Sequence, residues 1–340
     1  MDRVFGRPAA GMTCYLRVLP DCHASANLMV GRGVLVRHLP AAEVKSIRDQ
    51  LQRRNVFVRH GGGDFYTHVL GQMSDRTVVD ISVTGEPEGV AAYASSLASL
   101  VEDLVLVAAS LGMARSAIAK RVQPRDLATR RLELAIGPQF RQLRARSARP
   151  RGKAEVVLDA SFGKRFAKHG FPNLYQLCAS QTNMGDRVRH AVRWLKEAMC
   201  EEDLPSAVIH VAIALETMLV FSESESLARS LGERVAFLLA DTERMRASID
   251  ATVKRFYDVR SGVAHGSRRK LRHLSVRLVD GVTRLAVLAL CVIAANRNLW
   301  GTPEALRDWF ARERWVAPSV LDRPTGGGAV RRALALSATD

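Results

Sequence analysis

Between residues 12 and 85 apolar and polar positions alternate in the short runs CYLRVL, GVLVRHL, VFVRH, FYTHVL and TVVDISV, the period of half-buried strands. Between the second and third lies AAEVKSIRDQLQRR, which follows Pro40 and has helical spacing. This first stretch therefore predicts a strand-rich α+β domain, with Gly61–Gly63 as a turn. Pro87 then opens a strongly apolar helix reaching about Met113. From about Phe162 the pattern is helical almost to the end. Asp186–Glu201 carries Val188, Ala191, Trp194, Leu195 and Met199 on one face, and Ser206–Phe221 is apolar enough for a central helix. Leu227–Ala240, Glu243–Val263 and Leu271–Asn296 continue the bundle. The tail 317–340, with PTGGGAVRR, reads as a disordered end.

Charge changes this picture in one place. The chain of 340 residues carries a formal charge of +16, and a surplus of that size favours a polyanion as partner, nucleic acid ahead of a membrane surface. Residues 115–153 hold twelve Lys/Arg against Asp126 and Glu133, so ten of the sixteen net charges lie there. Two readings stand for this segment, a linker between domains or an arginine-rich arm along a nucleic-acid backbone. Five scattered cysteines lack metal-binding or disulfide-scaffold spacing and read as reduced thiols. The opening MDRVFGRPAAG lacks the apolar core of a signal peptide. Val90–Met113 is interrupted by Glu102 and Asp103, and Leu285–Ala295 is too short to span a bilayer. A cytoplasmic protein with no membrane partner is the expectation. HGGGDF lacks the Lys-Ser/Thr of a phosphate loop and is read as a connection between two strand-like runs.

The candidate chemistry starts at Glu216, whose neighbours three and four positions away are Ala212, Ile213, Leu219 and Val220. A carboxylate on such a face needs a partner. Either it lies at a partly exposed edge or in a structural ion pair, or it orients a catalytic cation, for which Arg260 is the candidate. His210 on the same helix is read as a hydrogen-bonded core histidine. In YDVRSGVAHGSRRK, Arg260 and His265 stand five positions apart. On an unbroken helix that spacing separates them by roughly 140°. Convergence then requires a break, at Gly262 or Gly266, or a second subunit. Gly266 also reads as a helix stop.

Several of these elements together resemble the HEPN superfamily, in particular its Apea-like branch. The resemblance rests on RHAVRWLKEAM, ALETMLVF, the FLL run and FYDVRSGVAHG, in that order, and covers about 185–297. It implies an all-α HEPN-type helical bundle, so that the expected fold is the α+β N-terminal domain read above followed by that bundle. It also implies a metal-independent endoribonuclease without cofactor, dimeric through the helical domain, with the motifs of both subunits lining one cleft. Arg260 and His265 match the family's catalytic pair. Ser261 departs from the Asn, Asp or His that many members carry there, while keeping a polar group. Glu216 matches the acidic residue of the branch's second helix.

The chemistry suits those side chains. RNA carries its own nucleophile, the 2′-hydroxyl; a histidine exchanges protons near neutral pH, and a guanidinium offsets charge building on the phosphate. Arg268, Arg269, Lys270 and Arg272 place RNA-binding charge next to the pair, or form a solvated helix start. The expected organisation is a sensing or regulatory domain over 1–114, an Arg-rich linker over 115–160, the HEPN-like domain over 161–300 and an extension over 301–340. RNA, a second copy and an antitoxin or activator are the implied partners of a defence or toxin effector. The alternative is a non-catalytic HEPN module that binds RNA or a protein partner. A third reading makes the chain a DNA-associated basic protein whose N-terminal domain carries the function.

Overall fold

The computed structural model describes residues 11–19, 22–59, 63–85, 87–112, 132–137, 143–146, 156–222, 226–313, 321, 323–324 and 326–338. By its internal contacts the chain divides into two units, Met1–Glu102 with Arg125–Lys164, and Asp103–Pro124 with Arg165–Asp340.

The first unit is built on β1 (Met12–Val18), with β5 (Arg76–Thr84) antiparallel on one side and β6 (Glu133–Ile136) antiparallel on the other. With β3 (Leu28–Gly31), β4 (Val34–Leu39) and β7 (Leu143–Arg146) these form a six-stranded antiparallel sheet in the order β3-β4-β5-β1-β6-β7. A parallel pair, β2 (Cys22–Ala24) and β8 (Val156–Leu158), completes the strands. Successive side chains on a strand face opposite ways, so Cys14, Leu16 and Val18 share one face of β1. There they meet Val78, Leu134 and Ile136 and pack with residues of α1 (Ala41–Arg53), α2 (Val56–Arg59) and α3 (Gly63–Met73). On the other face Arg17 reaches α4 (Pro87–Ala109). It donates to Ser95 O and Ser99 Oγ and pairs with Glu102 at 2.8 Å. A buried arginine with its donors so engaged meets the requirement that buried charge be paired.

Three expectations change here. Of VFVRH and FYTHVL, both read as strands, the first forms α2 over Val56–Arg59, with His60 outside the described residues, and the second falls in α3. The repeat that matters is Tyr66, Val69, Leu70 and Met73, which puts one apolar face onto the sheet at helical spacing. Gly63 accordingly opens a helix, while Gly61 and Gly62 lie outside the described residues. The stretch 115–160, expected as a linker, contributes β6, β7 and β8. Of its twelve Lys/Arg over 115–153, Arg144 and Arg146 fall on described positions, both on β7; the others lie outside the description.

The second unit is helical: α5 (Ala160–Lys168, shared with the first unit by its opening residues), α6 (Phe171–Ala179), α7 (Asn183–Cys200), α8 (Leu204–Leu219), α9 (Leu227–Leu239), α10 (Glu243–His265), α11 (Arg268–Leu271), α12 (Val276–Ala295), α13 (Pro303–Glu313) and α14 (Gly326–Ala338). Thr182, Asp203 and Ser275 each accept the N–H three residues on, at 3.0, 2.9 and 3.2 Å, and so start α7, α8 and α12. α7 packs on α8 and α9 on α10, while α12 runs among α6, α8, α9, α10 and α14. Every residue from Leu278 to Ala294 except Arg284 is buried.

The apolar run expected to stop short of a membrane span is thus part of a 20-residue helix. α4 and α12 are both long and apolar enough to cross a bilayer, but α12 is almost wholly enclosed by protein. Within the tail expected to be disordered, Gly326–Ala338 form α14 instead. It approaches α12 so closely at Gly281 that a Cβ there would lie 2.8 Å from Ala333 O. Arg255 of α10 donates to Ser337 O and ties α14 down from the other side. All five cysteines are buried and none is in a disulfide.

Candidate active site

Two neighbouring helices position the acidic and basic candidates. α8 is apolar along most of its length, and Glu216 stands near its C-terminal end on the half-buried side. Arg260 of α10 brings Nη2 to 3.5 Å from Glu216 Oε1, and the two side chains are 31% and 24% exposed. The partner that the apolar surroundings demanded is therefore present. The pair is an ion contact rather than a complete hydrogen-bonded fork: Glu216 Oε1 and Arg260 Nε are both buried without a hydrogen-bond partner. Tyr257, one turn before Arg260, completes the group. Its hydroxyl donates to Ala212 O at 3.3 Å. Burial pushes that phenol well above its usual range and the Glu216 charge adds to the shift, so it stays a neutral donor.

The end of α8 is held by groups that the sequence reading passed over. Arg187 of α7 donates to Val220 O, and Arg234 of α9 donates to Leu219 O at 2.5 Å. Their guanidinium carbons each lie 4.8 Å from the Phe221 ring centroid. Cations on the last carbonyls complement the negative end of the helix dipole and fix the turn that carries Glu216. The available signal was a pair of arginines on flanking amphipathic helices. Nothing in their spacing said that both would converge on one helix end.

His265 lies elsewhere. α10 continues without interruption from Glu243 to His265, and Gly266 caps it in the left-handed region at φ 67°. The break that would have brought Arg260 and His265 together does not occur at Gly262. Gly262 stays helical, and its carbonyl accepts both the capping N–H of Gly266 and that of Ser267, the latter at 2.9 Å. Arg260 therefore faces Glu216 while His265 is exposed at the helix end, on a different side.

Gly262 has another task. A Cβ at this position would lie 2.7 Å from Lys270 Cβ and 3.3 Å from Leu271 N, so the chain after Gly266 folds back against the last turn of α10 through the missing side chain. The fold-back brings Lys270 Nζ to 3.1 Å from Ser261 Oγ. Arg268, Arg269 and Arg272 are exposed around it and Lys270 is half-buried. None of these four cations forms an ion pair with a described residue.

His210 differs from its expectation as a hydrogen-bonded core histidine. It is half-buried, its ring centroid is 5.4 Å from that of Trp194, and its Nδ1 has no hydrogen-bond partner. Among the described residues no three His, Cys, Asp or Glu side chains gather as a metal-binding group. No protein-family model, curated protein or solved structure matches the chain.

Proposed function

We propose that the chain is a metal-independent endoribonuclease of the HEPN type, acting as a defence or toxin effector, whose complete site is built by two copies. The observation that carries this reading is the end of α10. An arginine held by a carboxylate from α8 and an exposed histidine stand five residues apart on one unbroken helix. They face different sides, so a phosphate gripped by Arg260 of one copy meets a histidine most directly from the other. In such a cleft Glu216 positions the Arg260 guanidinium, which offsets charge on the phosphate as the 2′-oxygen bonds to phosphorus. The bond from phosphorus to the 5′-oxygen breaks. The products are a 2′,3′-cyclic phosphate and a 5′-hydroxyl, so the proton lost by the 2′-hydroxyl is balanced by the one gained at the 5′-oxygen. His265 exchanges those protons.

The same separation favours a second reading, a non-catalytic module that binds RNA or a protein partner, because one copy alone does not bring Arg260 and His265 together. Incubation of the purified protein with total RNA and a chelator, alongside Arg260→Ala and His265→Ala, tests the proposal. The expected result is chelator-resistant cleavage lost in both variants. Cleavage that survives His265→Ala removes the site assignment, and RNA binding without cleavage favours the module. A strict monomer at all concentrations argues against the shared cleft.

A further inference from the structure

Resting on the ribonuclease reading, we infer that Lys270, steered by Ser261, forms a second phosphate-binding position beside His265, on the face of α10 that Arg260 does not use. This position takes a phosphate of the RNA strand flanking the one cleaved. Ser261 and His265 are four residues apart on α10 and therefore share a face, about 6 Å apart along the axis. The ammonium of Lys270 is brought to that face by the fold-back over Gly262 and is held 3.1 Å from the Ser261 hydroxyl. An ammonium has three donors, and this neutral hydroxyl engages one of them.

Charge distinguishes the two positions on α10. Arg260 has the Glu216 carboxylate at 3.5 Å. Lys270 and its neighbours Arg268, Arg269 and Arg272 have no acidic partner among the described residues. Four uncompensated cations within five residues repel one another, and an anion beside them relieves that repulsion. The serine that departs from the family pattern thereby gains a role of its own. With one hydroxyl it accepts from Lys270 and fixes where the ammonium points, which an alanine there would not do. Ser261 is thus a positioning residue and Lys270 the phosphate contact.

The experiment measures binding of a labelled single-stranded 2′-O-methyl oligonucleotide, which lacks the nucleophile and stays intact, over a series of salt concentrations. Each lost phosphate contact makes the slope of log K against log salt shallower by about 0.7 on a single strand. Lys270→Met is expected to show that change, Lys270→Arg to keep the wild-type slope, and Ser261→Ala to keep the slope while binding several-fold more weakly. With cleavable RNA, Lys270→Met is expected to raise KM while kcat stays near wild type. A role confined to clamping the turn would lower the melting temperature of Lys270→Met and leave the slope unchanged, which overturns the inference, as does failure of the wild type to bind the oligonucleotide. Cleavage independent of His265 overturns the ribonuclease reading and leaves the slope measurement standing. An unchanged slope with His265-dependent cleavage overturns the second position alone.

Discussion

Gly262→Ala sets two opposed effects against each other at the heart of the candidate site. Gly262 is helical and lies one turn from the end of α10, so alanine gains up to about 1 kcal/mol of helix propensity. Against this, the new methyl carbon would stand 2.7 Å from Lys270 Cβ. That is about 1 Å inside normal carbon–carbon contact. Both atoms are fixed to backbone, so no rotamer change relieves the overlap. Overpacking of this kind costs about 1–3 kcal/mol where the surroundings are rigid. Here one side is weak, because α11 is a four-residue turn with no buried residue. The cheaper response is for residues 267–271 to lift off α10, with the loss of the Ser267 N–H to Gly262 O and Lys270 to Ser261 bonds.

The expected outcome is a global stability within about 1 kcal/mol of wild type, a shift of about 2–4 °C in melting temperature. It is accompanied by faster amide exchange at Ser267, whose N–H bonds to Gly262 O and is released when the turn lifts. Calorimetry and residue-resolved hydrogen exchange read the two quantities separately. A loss above about 3 kcal/mol would show that the turn is rigidly held. Unchanged exchange at Ser267 would show that the close approach is relieved within α10, and either result refutes the reasoning.

The remaining predictions concern the rest of the second unit. Glu216→Gln keeps the shape and removes the charge facing Arg260; a double-mutant cycle with Arg260→Ala should give a coupling of about 0.5–1 kcal/mol in chemical denaturation, and zero coupling would mean that the pair is incidental. Gly281→Ala forces a methyl against Ala333 O at 2.8 Å and Ser337 Cβ at 2.9 Å on α14; a loss of about 1–3 kcal/mol and earlier proteolysis of the C-terminal helix are expected, and an unchanged melting temperature would contradict the contact. His169 is buried, and burial, with Lys168, Arg332 and Arg165 nearby, lowers its affinity for a proton below the ordinary histidine value. The unfolded chain therefore binds that proton first. The contribution to stability is present above about pH 6.5 and is lost as the pH falls through the lower folded value, so His169→Gln should flatten the acid limb of the stability curve. Stability that rises on acidification from neutral pH would contradict this sign.

How much of this could be read from the chain depends on how local its cause is. α1, α4, α7, α8, α9, α10 and α12 follow from apolar periodicity, and Thr182 and Asp203, which start two of them, likewise act within a few residues. The Glu216–Arg260 contact was readable for a different reason. An ionised carboxylate with apolar neighbours on its own helix must find charge elsewhere, and the arginine motif supplied a candidate. The sheet was legible as strand-rich sequence but not as an order. β1 pairs with β6 across more than a hundred residues, and a four-residue strand inside an arginine-rich stretch carries no local sign of that partner. α3 was misread because the alternation in FYTHVL is shorter than the three-and-four repeat running on to Met73. α14 was misread because glycines at its start suggest disorder, whereas the glycine that seats it, Gly281, lies on another helix.

The same distinction explains why Gly262 was given the wrong task. Beside a catalytic candidate, a glycine on a helix suggests a bend that would swing His265 toward Arg260. Bending α10 would cost its hydrogen bonds in the last turn, and that turn is the one Ser267 and Gly266 close onto through the Gly262 carbonyl. Leaving α10 straight keeps those bonds and spends the glycine's missing side chain on the approach of Lys270 instead. The consequence is a division of charge on one helix. Arg260, with its own carboxylate, is held on one side, and His265 lies on another, ahead of cations that pair with no acid among the described residues. A straight α10 thus makes a second copy a requirement of the ribonuclease proposal. Concentration dependence is the matching test: cleavage per chain should fall on dilution below the dimer dissociation constant. Mixing Arg260→Ala with His265→Ala chains should restore activity in the heterodimer if one intact pair, drawn from both copies, is enough. Activity that is constant on dilution to a verified monomer would refute the division.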